Sequence, residues 1–431
     1  MTTDRPSGLL TAPTAEALRG RLATSLRASQ RERLRQVAHL AAERGWPLYI
    51  VGGFVRDLLL GLSPDDFDLV VEGDAPALAR AAAGLGGGEV RVHAPFGTAT
   101  WATADGETID FATARTERYP QPAALPIIQA PATIRADLDR RDFALNAMAL
   151  RLDDPHLGEL VDPHGGLADL AERRVRVLHP LSFRDDPTRI FRAVRYEQRL
   201  QGRIAPETLA LLPEASPALA ALSADRVRHE FERIVREPHA SLMLARLAEL
   251  GVLPQVHAGL AWSAAETADA AVLTHWPPGA WRLAAPPEPE ARYLALLLRR
   301  AAPPVVAAAV ERLNLGRVVG LAVREAVALR RAWACPSEAV AALDALSELG
   351  VLAGYAAQPE LRADLDAYLG RWRFVRPTLT GDDLIARGLT PGPHFRELLW
   401  ALRAAWLDGA VTDTASEADW LVNRLAGRPQ P

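Results

Sequence analysis

Leu48-Tyr49-Ile50-Val51-Gly52-Gly53-Phe54-Val55-Arg56-Asp57 begins as a short β-type run and passes, through two glycines, into a helical pattern reaching Leu60. Thirteen residues beyond Gly53, Asp66-Phe67-Asp68 opens a second apolar run that extends to Val71. In a strand, side chains at i and i+2 share a face, so Asp66 and Asp68 are expected side by side. Two adjacent anions call for a cation between them, and hard carboxylate oxygens suit Mg²⁺. A third carboxylate, Asp110, falls inside another strand pattern, between Ile109 and Phe111. Three carboxylates converging from neighbouring strands would form a two-metal phosphoryl-transfer site, one ion activating a hydroxyl and the other clamping a triphosphate. The glycines let the backbone approach a phosphate, the helix start supplies N–H donors, and Arg56 adds charge. A D-x-D pair alone is commonly two solvated turn residues. The order strand, Gly-Gly, helix, D-x-D strand is far rarer.

Working outward, Glu89–Val92, Thr98–Ala104 and Glu107–Thr113 continue the strand patterns, separated by Gly-containing or Asp-Gly turns. Upstream, Leu34, Val37–Ala38 and Ala41–Ala42 recur at helical spacing. From Leu167 onward the pattern is helical with no convincing strand, punctuated by proline-rich stretches at Trp276–Pro289 and Ala301–Pro304. The expected fold class is α+β: a small mixed head, a β-sheet with helices, followed by a long all-α portion. The expected domains are a head over 1–155, a neck over 156–240, a helical body over 241–370 and a helical tail over 371–431.

Composition narrows the class. At 431 residues, 49% hydrophobic and 24% charged, the chain is an ordinary globular one rather than a disordered one. Cys335 is the only cysteine, which excludes an intrachain disulfide framework and a thiolate zinc site. There is no lysine, so all 49 basic residues are arginine and every basic phosphate contact must be a guanidinium. The net charge of −4 bears on solubility and not on local patches. No stretch approaches 18 uncharged apolar residues, and the start, Met1-Thr2-Thr3-Asp4-Arg5-Pro6, lacks the order of a signal peptide. A cytoplasmic protein with no membrane association is expected.

The glycine turn and D-x-D strand resemble the head of the DNA polymerase beta nucleotidyltransferase superfamily, in the form found in class II tRNA nucleotidyltransferases and bacterial poly(A) polymerases. Arg140-Arg141-Asp142-Phe143-Ala144-Leu145-Asn146-Ala147-Met148-Ala149 is similar to that family's R-R-D-F-T-[IV]-N-A-M-A block, with Ala144 and Leu145 as departures. Asn146 is one of three asparagines in the chain. Asp162-Pro163-His164-Gly165-Gly166 resembles the family's head-to-neck junction. Asp185-Asp186-Pro187-Thr188-Arg189-Ile190-Phe191-Arg192-Ala193-Val194-Arg195-Tyr196 resembles the neck block, with Asp185 for the usual Glu. Arg226 and Glu230 fall where a further neck motif is expected, and Leu379–Leu384 and Gly388–Pro393 resemble a tail motif. The resemblance is dense over 49–237, returns over 377–421 and is thin between. It implies catalytic Asp66, Asp68 and Asp110, metal ligands Asp66 and Asp68, and nucleotide contacts at Gly52, Gly53, Arg56, Arg141, Asp142, Asn146, Asp186, Arg189, Arg192 and Arg195.

The chemistry open to Asp186 and Arg189 follows from the bases. Cytosine and adenine present an amino donor beside a ring-nitrogen acceptor, whereas uracil and guanine present a carbonyl beside an N–H. A carboxylate beside a guanidinium therefore pairs with C or A and meets like with like on U or G. Read as i, i+3 on one helix face, the two side chains are expected to act together. The segment from Arg115 to Asp137, including Glu117, is long and proline-broken, and resembles the flexible loop that the family needs to switch from C to A addition. Enzymes that add only CC are expected to carry a shortened loop.

The resemblance implies an enzyme that adds CCA to the tRNA 3′ end from CTP and ATP, with Mg²⁺ and no nucleic-acid template. The alternatives are an enzyme adding only A beside a CC-adding partner, a poly(A) polymerase, and an RNA-binding protein with an inactive head. No His-Asp dipeptide occurs, so no appended phosphohydrolase activity is expected. His257 and His275 are expected to be structural, and Trp262, Trp276 and Trp281 to pack rather than stack on bases. Arg299, Arg300, Arg330 and Arg331 are candidate RNA contacts. No protein partner is expected.

Overall fold

The computed structural model describes residues 13–64, 66–272, 281–283, 288–329 and 333–427. The chain divides into two compact units, with the break after Ser223. The stretch 156–240, expected as a neck, thus lies partly in each unit.

The first unit is built on a seven-stranded sheet of β1 (Leu48–Val51), β2 (Phe67–Val71), β3 (Glu89–His93), β4 (Thr98–Ala102), β5 (Thr108–Thr113), β8 (Ala149–Arg151) and β9 (Leu160–Val161). Its order is β3-β4-β5-β2-β1-β8-β9. Only β2 and β5 run parallel within it. Two strands near the middle, β6 (Thr116–Arg118) and β7 (Ile127–Gln129), form a separate antiparallel hairpin. The segment 115–137 was expected as a loop; its strands are three residues each, and the prolines between them mask the pattern.

Alternation decides which face is core. Phe67, Leu69, Ile109, Phe111, Ala99 and Trp101 pack with helices α2 (Ala28–Ala42), α3 (Gly53–Leu59) and α4 (Ala75–Gly86). On the opposite face Tyr49, Val51, Val70 and Ala149 are covered by Ile134 and Leu138 of α5 (Ile134–Asp139). Beyond the sheet, the short α7 (Ser182–Asp185) and the longer α8 (Thr188–Arg199) follow α6 (Gly166–Ala171). A two-residue parallel pair, β10 (Arg174–Val175) with β11 (Arg203–Ile204), lies in the region read as wholly helical. Two residues are too few to leave an alternation.

The second unit is helical, with no strand among its described residues. Helices Glu290–Leu298, Arg317–Ala328 and Glu348–Ala357 pack together, and Trp281, Leu343, Leu352 and Leu365 belong to one core cluster. Among the described residues, no single helix is long and apolar enough to cross a membrane.

Candidate active site

The alternation that buries Phe67, Leu69, Ile109 and Phe111 leaves Asp68 and Asp110 on the open face of the sheet. The parallel register sets Asp68 directly opposite Asp110, and antiparallel β4 sets Thr100 opposite Asp110. The Thr100 hydroxyl donates to Asp110 Oδ1 at 2.5 Å. Together with Thr98, Val51 and Arg141 they line a cleft of about 260 Å³. Asp66 is exposed just before β2. Desolvation at the cleft floor pushes the Asp68 carboxyl up from its ordinary value, and the negative charges of Asp110 and Asp66 push the same way against Arg141.

The glycine turn stands beside this cleft. Gly52 has φ +66°, which favours glycine, and a Cβ there would lie 3.0 Å from Arg141 Nη1, close enough to press on the guanidinium. Arg141 Nη2 donates to Asp137 Oδ2 at 3.0 Å, while its Nε is buried with no hydrogen-bond partner. Asp137 is fully buried. Burial would raise its carboxyl, but Arg141 and Arg140 hold it below the usual range. Among the described residues, no group of three or more His, Cys, Asp and Glu could hold a metal ion. Mg²⁺ commonly takes one or two carboxylates and completes its shell with water and substrate phosphates. The crowded anionic pair Asp66 and Asp68 fits that mode.

A second cluster joins the sheet to α8. Arg192 donates to Asp142 Oδ2 through Nε at 2.8 Å, and Asn146 Nδ2 donates to Asp142 Oδ1 at 3.3 Å. Arg56 Nη1 donates to Asn146 Oδ1 at 2.9 Å, and the same guanidinium pairs with Asp57. Arg56, Arg192 and Arg195 lie within 5.3, 5.7 and 5.8 Å of the Tyr196 ring centre, an arrangement favoured by the negative ring face. Burial opposes ionisation of Asp142, yet Arg192 holds its carboxyl below the usual range.

The turn between α7 and α8 holds a third group. Asp186 Oδ1 accepts the N–H and hydroxyl of Thr188 at 3.0 and 2.6 Å. Arg189 is buried; Nη1 donates to Ser182 Oγ at 2.7 Å and Nη2 to the Arg140 carbonyl at 2.8 Å. Glu117 gathers the hairpin against this group. Its Oε1 accepts from Arg115 Nη2 at 2.8 Å and Arg140 Nη1 at 3.0 Å, and its Oε2 accepts the Tyr119 hydroxyl at 3.2 Å. Burial, aided by Glu117 and Asp186 and opposed by Arg189, pushes the Tyr119 hydroxyl up to about 12, so it stays a donor at neutral pH.

Residues 48–176 match the family described as the poly A polymerase head domain, and 203–262 the one described as the probable RNA and SrmB-binding site of polymerase A. The chain is 34% identical over 398 residues to the A-adding tRNA nucleotidyltransferase of Halalkalibacterium halodurans, covering 88% of each. The chain belongs to the tRNA nucleotidyltransferases. It is also 34% identical over 385 residues to the CC-adding tRNA nucleotidyltransferase of Deinococcus radiodurans, covering 89% of this chain and 91% of that one. A solved structure of the Thermotoga maritima CCA-adding enzyme complexed with tRNA superposes with TM-score 0.78 at 28% identity, over 95% of this chain and 98% of that one.

In this nucleotidyltransferase, Asp68 and Asp110 share the cleft with Arg141, which also approaches Gly52, and Asp66 is close enough for its charge to act on Asp68. Asp142, Asn146, Arg56, Arg192 and Arg195 form the adjoining cluster, with Arg56 turned to Asp57 and Asn146 while its Nη2 passes 3.6 Å from where a Gly53 Cβ would stand. The helix-face reading of Asp186 and Arg189 is corrected. Asp186 has φ −135° and ψ 93°, outside the helix that starts at Thr188. Pro187 follows it, and a residue before proline is pushed out of helical geometry. The two residues are linked across the turn by their backbones, the Arg189 N–H donating to the Asp186 carbonyl at 3.0 Å. Sequence reasoning assigned no role to Asp137, Thr100, Ser182, Tyr119 or Tyr196. Thr100 was legible only as a member of the Thr98–Ala104 strand pattern, and Tyr196 only as the end of the neck block.

In the second unit Arg299 is tied to Glu266 and Asp269, and Arg300 lies 3.2 Å from Glu266. Trp262 stacks on Tyr293, and Trp281 is buried with its ring N–H on Asp366. The His257 ring accepts the Gly259 N–H. His275, Trp276, Arg330 and Arg331 lie outside the described residues.

Proposed function

We propose that this nucleotidyltransferase builds the CCA end of tRNA from CTP and ATP, including the terminal A. The observation that carries this is the juxtaposition of the Asp68/Asp110 cleft with Arg141, whose Nε is buried without a hydrogen-bond partner and whose Nη1 lies against the glycine turn. Gly53 and the start of α3 cradle the triphosphate with backbone N–H groups, Gly52 making the turn while its own N–H bonds the Met148 carbonyl, and Arg141 supplies a guanidinium. Asp110, steadied by Thr100, orients the tRNA 3′-hydroxyl and takes its proton as the oxygen attacks the α-phosphorus and pyrophosphate leaves. Asp66 and Asp68 would hold Mg²⁺, which when bound offsets the developing charge on the phosphate oxygens. Arg192 adds a partly exposed guanidinium for the sugar and phosphates, while the buried Arg195 lies over the Tyr196 ring. Asp186 and Arg189 read the base edge of C and A, and the helical second unit holds the tRNA by shape and phosphate contacts.

The complete 115–137 segment, closed onto Arg140 through Glu117, favours competence for A over a CC-only enzyme. The likeness to an A-adding relative over most of both chains favours a second reading, addition of A alone. Three tRNA transcripts, ending before CCA, after C and after CC, separate these with purified protein, Mg²⁺ and labelled CTP or ATP. Extension of all three to CCA supports the first reading. Growth of only the CC transcript, by one A, supports the second. No incorporation on any of them overturns both.

A further inference from the structure

Ser182 holds both halves of the base-reading pair. It opens α7 and is fully buried. Its carbonyl accepts the backbone N–H of Asp186 at 3.1 Å, and its hydroxyl oxygen accepts from Arg189 Nη1 at 2.7 Å. The second terminal nitrogen of Arg189 is fixed by the Arg140 carbonyl, so two anchors set the plane of a planar fork. On the acid side, Thr188 fixes Asp186 Oδ1. Ser182 and Thr188 belong to the α7–α8 segment, and the Arg140 carbonyl comes from outside it.

The physics of base choice makes these anchors matter. A fixed carboxylate and guanidinium accept C and A because donor and acceptor meet in the right order, and reject U and G because groups stay unpaired. A guanidinium free to swing has no such order. It can follow the carbonyl of U or G and donate to it, which removes the mismatch that does the rejecting.

We propose that Ser182 is a specificity-determining positioning residue: its buried hydroxyl locks the plane of the Arg189 guanidinium, and its carbonyl locks the turn that carries Asp186. Ser182 touches no reacting atom; it acts through Arg189. The inference rests on the reading of Asp186 and Arg189 given above.

The test uses the full chain, a tRNA transcript ending in CC, and ATP, GTP or UTP in separate reactions, with kcat and KM measured for each. Ser182→Ala is expected to lower the preference for ATP over GTP and UTP roughly ten- to a hundredfold, the worth of a hydrogen bond to a charged group. The KM for ATP should rise more than kcat falls. Ser182→Cys, similar in shape and a weaker acceptor, should fall between Ser182→Ala and the native chain, and serves alone if Ser182→Ala does not fold. Unchanged base preference in the folded variants overturns the proposal, even where the melting temperature drops. Arg189→Ala separates the two levels. If it loses preference while the Ser182 variants keep theirs, only the role of Ser182 falls; if Arg189→Ala itself keeps base preference, the base-reading assignment falls.

Discussion

Asp68 and Asp110 stand directly opposite each other on the only two parallel neighbours of the central sheet, on its open face. Their charges repel, and the Asp68 carboxyl is accordingly raised by desolvation and by Asp110 and Asp66. The folded head therefore carries an electrostatic cost at this pair. Asp68→Asn and Asp110→Asn should each cut nucleotide addition by roughly a hundred- to a thousandfold or more. Neither should lower the melting temperature at pH 7, because each removes like-charge repulsion. A chelator should stop addition by the native chain without melting the head, and Mg²⁺ should restore it. A matched loss of activity and melting temperature in Asp68→Asn would count against a catalytic role.

Gly52 is tested by its own geometry. Gly52→Ala places a side chain at positive φ and against Arg141 Nη1, costing about 1–3 kcal/mol of strain. The displaced guanidinium should weaken triphosphate binding, so the KM for ATP should rise by about tenfold or more with a smaller change in kcat. Gly61, also at positive φ but with nothing within 4 Å of a Cβ, is the control. Gly61→Ala should cost comparable stability and leave KM alone.

Much of this was legible in the chain. The strand, glycine turn and D-x-D strand could be read because a period of two and a pair of glycines are local signals. That Asp110 meets Asp68 rather than a neighbour needed the parallel register, a long-range pairing that no local pattern encodes. The hairpin of Thr116–Arg118 and Ile127–Gln129 was hidden because three-residue strands flanked by Pro120, Pro122, Pro126 and Pro131 read as loop. Asp186 was misplaced on a helix although the sequence held the warning, since Pro187 follows it. The burial of Arg189 and its anchoring by Ser182 follow from tertiary packing that spacing alone does not carry.

Asp142 gives a pH prediction. It is buried, paired with Arg192, and held below the usual carboxylate range. A depressed folded value means that the unfolded chain binds the proton more readily. The stabilisation is thus complete above the unfolded value, near 3.9, and is lost as pH falls through the folded value beneath it. Asp142→Asn leaves Arg192 without its anion and should destabilise the head at pH 7 by about 3 kcal/mol. Melting curves of the two proteins should converge as pH drops below about 4. A constant gap down to pH 2 would assign the loss to packing instead.

Glu117 decides how the hairpin is held. One buried carboxylate gathers Arg115, Arg140 and Tyr119, and Arg140 in turn offers its carbonyl to Arg189. Glu117→Gln keeps the shape and removes the charge, so two guanidiniums lose a charge-assisted partner that a neutral amide replaces poorly. The hairpin should open more often, and a protease that cuts after arginine should nick at Arg118 faster than in the native chain. Arg140 keeps its bonds to Asp137, so its main-chain anchor of Arg189 should loosen only in part: A addition to a CC-ended transcript should fall by about three- to tenfold while ATP remains preferred over GTP, because Ser182 still holds the guanidinium. Faster nicking with unaltered A addition would show that the hairpin is held by Glu117 but that its closure does not limit the reaction.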